Sequence, residues 1–356
     1  PAPTGGEAVA APPSPAGTPV RELAGWRPAW IRYGPFTLSG LVTVAVIAGF
    51  AWRIISEAAI NIGQLPEVRA AQAEAATIGI AAVVVVLALV GIALVALLST
   101  FGYAFAFWGF RLTRQAEGTL QVRRGLITTR VTTIEERRLR GVEISEPLLL
   151  RAVGGARCLA ITTGLRVGRG SERGGSMLLP PAPRTEAIRV AAEVLGRPRP
   201  IVAALIPHGA RAARRRFTRA LAVAAILCAG LLLGCWRLGL SEDLWIASLA
   251  VFPIAALLAA DRAHSLGHVV ADGALIVRLG SLIRRRSIVN CEGIIGWNLR
   301  QTFFQRRLGL GTLAATTAAG RQRYEALDVP LGEAVRTAEQ AVPGLLRPFL
   351  VPADRA

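Results

Sequence analysis

Residues 117–165 and 272–320 align without a gap at a constant offset of 155, and a pair of long apolar segments stands in front of each copy. Gly118, Leu120, Val122, Arg123, Gly125, Arg130, Gly141, Arg151, Gly154 and Thr162 recur as Gly273, Leu275, Val277, Arg278, Gly280, Arg285, Gly296, Arg306, Gly309 and Thr317. No other feature restricts the fold as much, because two copies of one pattern must build the same supersecondary unit twice. The unit predicted is a membrane hairpin followed by a small cytosolic domain.

Hydrophobic residues make up 53% of the 356, more than a soluble chain of this length carries. The excess is local. Four stretches, at about 35–56, 77–100, 219–237 and 243–260, have the length needed to cross roughly 30 Å of hydrocarbon. The last two are the shorter, with Leu221–Trp236 and Leu244–Ala260 as their uncharged runs. The chain thus divides into a Pro/Ala-rich linker at 1–25, a hairpin at 26–104, a domain at 105–200, a second hairpin at 201–262, a second domain at 263–346 and a tail at 347–356. It opens with Pro rather than Met and no secretory signal precedes the first span, so an upstream segment is expected.

Arg21, Arg27 and Arg32 precede the first span, Arg111 and Arg114 follow the second, and Arg211, Arg214, Arg215, Arg216 and Arg219 precede the third. The loop 57–76 carries Glu57, Glu67 and Glu74 against Arg69, and the loop 238–242 ends in Glu242 with Asp243 directly after it. The positive-inside rule places both loops outside and both domains in the cytoplasm. Trp26, Trp30 and Tyr33 before the first span read as rings at headgroup level. The aromatic run from Phe101 to Phe110 fits either a strand entering the next domain or a helix continuing beyond the bilayer.

All 41 basic residues are Arg and the net charge is +18. The charges lie beside apolar spans rather than along a DNA-reading motif, which points to anionic lipid and away from nucleic acid. Cys158, Cys228, Cys235 and Cys291 form no metal or redox pattern and suit a reducing cytosol. Cys228 and Cys235, seven apart, read as small residues facing a neighbouring helix.

Each copy opens with a tight turn, Glu117-Gly118 or Asp272-Gly273, whose glycine supplies positive φ. Leu120 and Val122, then Ile127, Thr129 and Val131, then Val142 and Ile144, then Leu159, Ile161 and Thr163 alternate at the period of half-buried strands. Pro183–Leu195 changes to a helical period, with Ile188, Ala191, Ala192 and Leu195 on one face, and Leu331, Ala334, Val335 and Ala338 repeat the pattern before Pro343. The predicted fold class is a membrane α+β protein: two transmembrane hairpins, each followed by a cytosolic barrel of six or seven strands capped by a C-terminal helix.

The order Glu117-Gly118-x-Leu120-x-Val122-x-x-Gly125, Arg138-x-x-Gly141-Val142, Arg151-x-x-Gly154 and Leu159-x-Ile161-x-Thr163-Gly164 resembles the bacterial pleckstrin-homology-like family, type 2, the YdbS/YdbT-like polytopic membrane proteins. The second copy keeps Asp272-Gly273, Gly280, Gly296 and Arg306-x-x-Gly309-Leu310-Gly311 but has Glu292-Gly293 in the columns of Arg137-Arg138. The resemblance implies a seven-stranded PH-like barrel capped by a helix, in proteins that often hold three such domains. It implies no catalytic residues, and it implies links to antimicrobial resistance and envelope stress.

Candidate sites are few. His264 and His268, four apart beside Asp261 and Asp272, have the spacing of metal ligands on a helix, yet no third ligand follows and they read as interfacial polar residues. His208 stands alone. Gly309-Leu310-Gly311 lacks the third glycine and following helix of a dinucleotide loop and reads as a barrel corner. No nucleophile–base pair is visible, so neither an enzyme, a cofactor nor a metal is expected. Candidate anionic-lipid contacts are Arg137, Arg138, Arg140, Arg214, Arg215, Arg216, Arg284, Arg285 and Arg286, with solvated surface charge and topology as the plain alternative. Arg53, near the outer end of its span, is expected to snorkel.

The leading expectation is a non-enzymatic scaffold making protein or lipid contacts or self-associating, by β-augmentation first. A lipid-handling or transport component is a rival, weakened by spans bare of ionisable groups at their centres. An envelope-stress sensor using the acidic loop 57–76 is the other.

Overall fold

The computed structural model describes residues 21–36, 49, 53, 86, 89–164, 176–239 and 242–346. The first predicted span, the loop 57–76, residues 1–20 and the tail 347–356 lie outside the described residues, apart from a few positions. Three helical runs among the described residues are long and apolar enough to cross a membrane. They are α1 (Leu89–Phe107), α5 (Gly209–Leu238) and Leu244–Ser265, the last built from α6 (Glu242–Ser248) and α7 (Val251–Ser265). Of the two readings of the aromatic run, helix holds up to Phe107, and its end is tied down where Leu126 N–H donates to Phe105 C=O at 3.1 Å. Helix α5 begins well before the apolar stretch, because nothing in Arg211–Arg219 breaks a helix.

Among the described residues, thirteen strands follow the repeat. The first half holds β1 (Arg21–Gly25), β2 (Arg111–Gln115), β3 (Thr119–Arg124), β4 (Arg130–Glu135), β5 (Leu139–Pro147), β6 (Gly155–Thr162) and β7 (Met177–Pro183). The second holds β8 (Gly267–Ala271), β9 (Ala274–Leu279), β10 (Ile283–Asn290), β11 (Gly296–Arg300), β12 (Leu310–Thr316) and β13 (Arg323–Pro330). Short helices α2 (Leu148–Ala152) and α8 (Phe303–Arg307) occupy equivalent places. So do the closing helices α3 (Arg184–Leu195) and α9 (Leu331–Ala341), and α4 (Arg199–Val202) leads into the second hairpin.

The glycine columns explain why the copies share a backbone. Gly125 and Gly280 sit at φ +108° and +101°, and a Cβ on either would fall 2.2 and 2.0 Å from the carbonyl oxygen of the residue three on. Only glycine fits such a reversal.

Among the described residues the strands form three antiparallel sheets, β1-β2-β3-β4, β7-β6-β5-β10-β9-β8 and β11-β12-β13. The pairing therefore joins the repeats through β5 and β10, where a self-contained barrel in each copy was the expectation. Residues 21–25, placed in the linker, are strand β1, paired with β2 and burying Leu23 and Ala24. A register shift between Glu22 and Ala24 removes the alternation that would mark it as a strand. Trp30 and Tyr33 are buried in the first core rather than set at headgroup level.

Strand β4 also departs from expectation. Ile134 is its inward residue, while Ile127 and Val131 are 85% and 53% exposed. Helix α3 buries Ala187, Val190, Ala191 and Val194, a face turned by about one residue from the predicted stripe.

Candidate functional site

The join between the repeats is a densely organised polar region. Strands β5 and β10 pair antiparallel from Ile283↔Pro147 to Val289↔Gly141. Thr119, Gln121 and Thr133 of the first copy are replaced by Ala274, Ile276 and Ile288 in the second. These three apolar residues pack into the first repeat's core, while Leu275, Val277 and Val289 on the opposite face pack into the second. Strands buried on both faces lose the polar half of the alternation. The run Ala274-Leu275-Ile276-Val277 was the sequence signal for the join, and periodicity within one copy passes over it.

Acidic residues brace the join. Asp261, at the end of α7, receives Arg151 at 3.1 Å and Arg284 at 2.7 Å. Glu143 of β5 takes Ser287 Oγ at 3.2 Å and faces Arg285 at 3.5 Å and Arg321 at 3.4 Å. Arg286 donates to the carbonyl of Ala203 at 2.7 Å, and burial together with Arg278 and Arg184 pushes its pKa down to about 10, which leaves it charged at neutral pH. The aliphatic part of Arg140 lies over Gly293, where a Cβ would stand 3.0 Å from Arg140 Cδ. That contact is a structural reason for the Gly293 departure in the second copy.

A second cluster anchors the second hairpin to its domain. Asp328 of β13 is fully buried at φ +58° and pairs with Arg215 and Arg216 of α5. Gln305 Nε2 donates to the same carboxylate at 2.7 Å. Alongside it, His208 faces the carbonyl of Leu327 at 2.7 Å through Nδ1 and His268 Nδ1 at 3.0 Å through Nε2. His268 Nε2 lies 2.9 Å from Thr337 Oγ1. Burial, with the neighbouring His268, lowers the pKa of His208 to about 4, and burial lowers that of His268.

Helix α7 ends at Ser265, so His264 and His268 never share a helical face. The partner of His268 is His208, sixty positions away and invisible to local spacing. Among the described residues no group of three or more His, Cys, Asp and Glu side chains is placed to hold a metal ion.

The nine arginines singled out by clustering separate into two groups. Arg215, Arg216, Arg284, Arg285 and Arg286 are engaged inside the protein as described above. Arg137 and Arg138 are exposed and share Glu135 at 2.5 and 3.1 Å, Arg214 is exposed, and Arg140 is half-buried. Between the bases of α5 and α7 lies a largely apolar cavity of about 320 Å³, bounded by Leu205, Ala212, Phe217, Ala260, His264 and Arg278. Cys228 on α5 donates to Ser248 C=O at 3.3 Å, one small residue meeting the neighbouring helix.

The family model for the bacterial PH domain matches the chain twice, over residues 36–197 and 209–341. No curated protein and no solved structure matches it. Each match takes in a predicted hairpin together with the strands and closing helix that follow, as the repeat requires. With most of its length covered by these two matches and its strands falling in two equivalent sets, the chain belongs to the bacterial PH domain family.

Proposed function

We propose that this protein is a non-enzymatic integral protein of the bacterial inner membrane whose two PH-like modules face the cytoplasm as one joined platform and act as a scaffold for protein or lipid contacts. The observation that carries this reading is the shared six-stranded sheet. Its polar groups are spent on bracing one module against the other and against the helix bases, an investment in fixed geometry rather than in chemistry.

Two kinds of surface remain for partners. Unpaired sheet edges suit an added strand. Exposed Leu126, Ile127, Leu282, Phe303 and Phe304 suit contact with the headgroup region, helped by Arg137, Arg138 and Arg214. Photo-crosslinking in native membranes tests the reading. Capture of protein at the modules supports the scaffold, and capture of lipid alone there would refute its protein-binding half.

One observation favours a second reading, lipid handling, namely the apolar cavity between α5 and α7. Mass spectrometry of the protein released from nanodiscs, before and after Ala212→Trp fills that cavity, decides it. A lipid adduct that survives the filling removes the cavity from consideration.

A further inference from the structure

The joint between the repeats leaves the counterparts of its own two halves unused. By the offset of 155, β10 is the counterpart of β4 and β11 is the counterpart of β5. Strand β10 is paired on both sides, by β9 and by β5, whereas among the described residues β4 pairs only with β3 and β11 only with β12. The second repeat's β10 thus uses the first repeat's β5, and the matching pair of edges, β4 and β11, is left open among the described residues.

Two details at these edges fit a strand added there. Leu299 is 43% exposed on β11 although its counterpart Ile144 is 3% exposed inside the joint. Val131 on β4 is 53% exposed. Moving the internal register, in which Arg286 faces Ile144 and Ser287 faces Glu143, by one repeat sets Val131 opposite Leu299 and Thr132 opposite Asn298.

We infer that β4 of one copy pairs antiparallel with β11 of a second copy in this register, so that the protein assembles head to tail in the membrane plane. The inference rests on the scaffold reading and names a second copy of this chain as its partner. Such a contact is heterologous and extends into rows or closes into rings. Helices α1 and α7 lead into the counterpart strands β2 and β8, so a step that relates domains also carries the helices along. The contact is more polar than the internal one, since Thr133 stands where Ile288 does, and Arg130 falls opposite Arg300. It is therefore a weaker, reversible contact, strengthened by salt and by Arg300→Glu.

Full-length protein carrying both Val131→Cys and Leu299→Cys, oxidised mildly in native membranes, should give a ladder of disulfide-linked multimers. Chains with only one of the two cysteines should give none alone and a single dimer band when mixed. Val131→Cys chains linking to one another would show a symmetric contact and overturn the inference. An absent ladder, with photo-crosslinks at the modules still capturing other proteins, would overturn self-pairing and leave the scaffold reading standing. An absent ladder with lipid alone captured would sink both.

Discussion

Asp328→Asn is the most informative single substitution, because it changes one charge and almost nothing else. Asn tolerates the positive φ of this position and keeps an oxygen for Gln305. What it removes is the carboxylate between Arg215 and Arg216, whose side chains are each only 10% exposed. Stranding buried charge in this way costs about 3–5 kcal/mol. At about 2–4 °C per kcal/mol for a unit of this size, the midpoint of thermal unfolding should fall by roughly 6–20 °C. Scanning fluorimetry in mild detergent reads this directly. The triple variant Asp328→Asn, Arg215→Met, Arg216→Met removes the stranded charges as well and should recover most of the loss, since a buried ion pair is worth little against apolar replacements of similar size. A single variant that melts within about 2 °C of the parent, or a triple variant no better than the single, would refute the view that this cluster anchors α5 to the second module.

Acid should loosen the same region. The pKa of His208 is lowered to about 4 from an unfolded value near 6.5, so its contribution is complete above pH 6.5 and lost as pH falls toward 4, in all about 3 kcal/mol. His208→Asn, which keeps a donor for Leu327 C=O, should flatten stability between these two pH values, and an unchanged slope would exclude His208 as its source. Ile288→Ala should cost about 2–5 kcal/mol, and hydrogen exchange should report lost protection in β5 and β6 of the first repeat as well as in β10. Exchange confined to the second repeat would contradict a shared core. Glu143→Gln should cost about 1 kcal/mol, the partners Arg285 and Arg321 being partly solvated, with the change visible as greater protease sensitivity between the modules.

Much of the fold was legible because it is local. The glycine columns at 118, 125 and 154 and their counterparts at 273, 280 and 309 all take positive φ, as the turn reading required. Leu120 and Val122, with Leu275 and Val277, are buried as the alternation predicts. Pro183 and Pro330 stand immediately before α3 and α9, where a missing N–H costs nothing. The candidate site was less legible. Asp328 and His208 looked unremarkable as single residues, and the five arginines that hold the protein together look in sequence like those that face solvent. Their partners lie on other elements, at separations such as 113 for Arg215 and Asp328.

From its sequence alone this chain is committed to two like units, each with apolar sequence followed by short strands and a closing helix. Period, turn glycines and hydropathy are properties of neighbouring residues, and each copy states them separately. Which edge meets which is decided only in three dimensions. The pairing of β10 with β5, the cores that share Ile276, Ile288 and Ile161 across the repeats, and the carboxylates that select Arg215, Arg216, Arg284 and Arg285 all follow from burying apolar surface and matching charge between segments far apart in the chain.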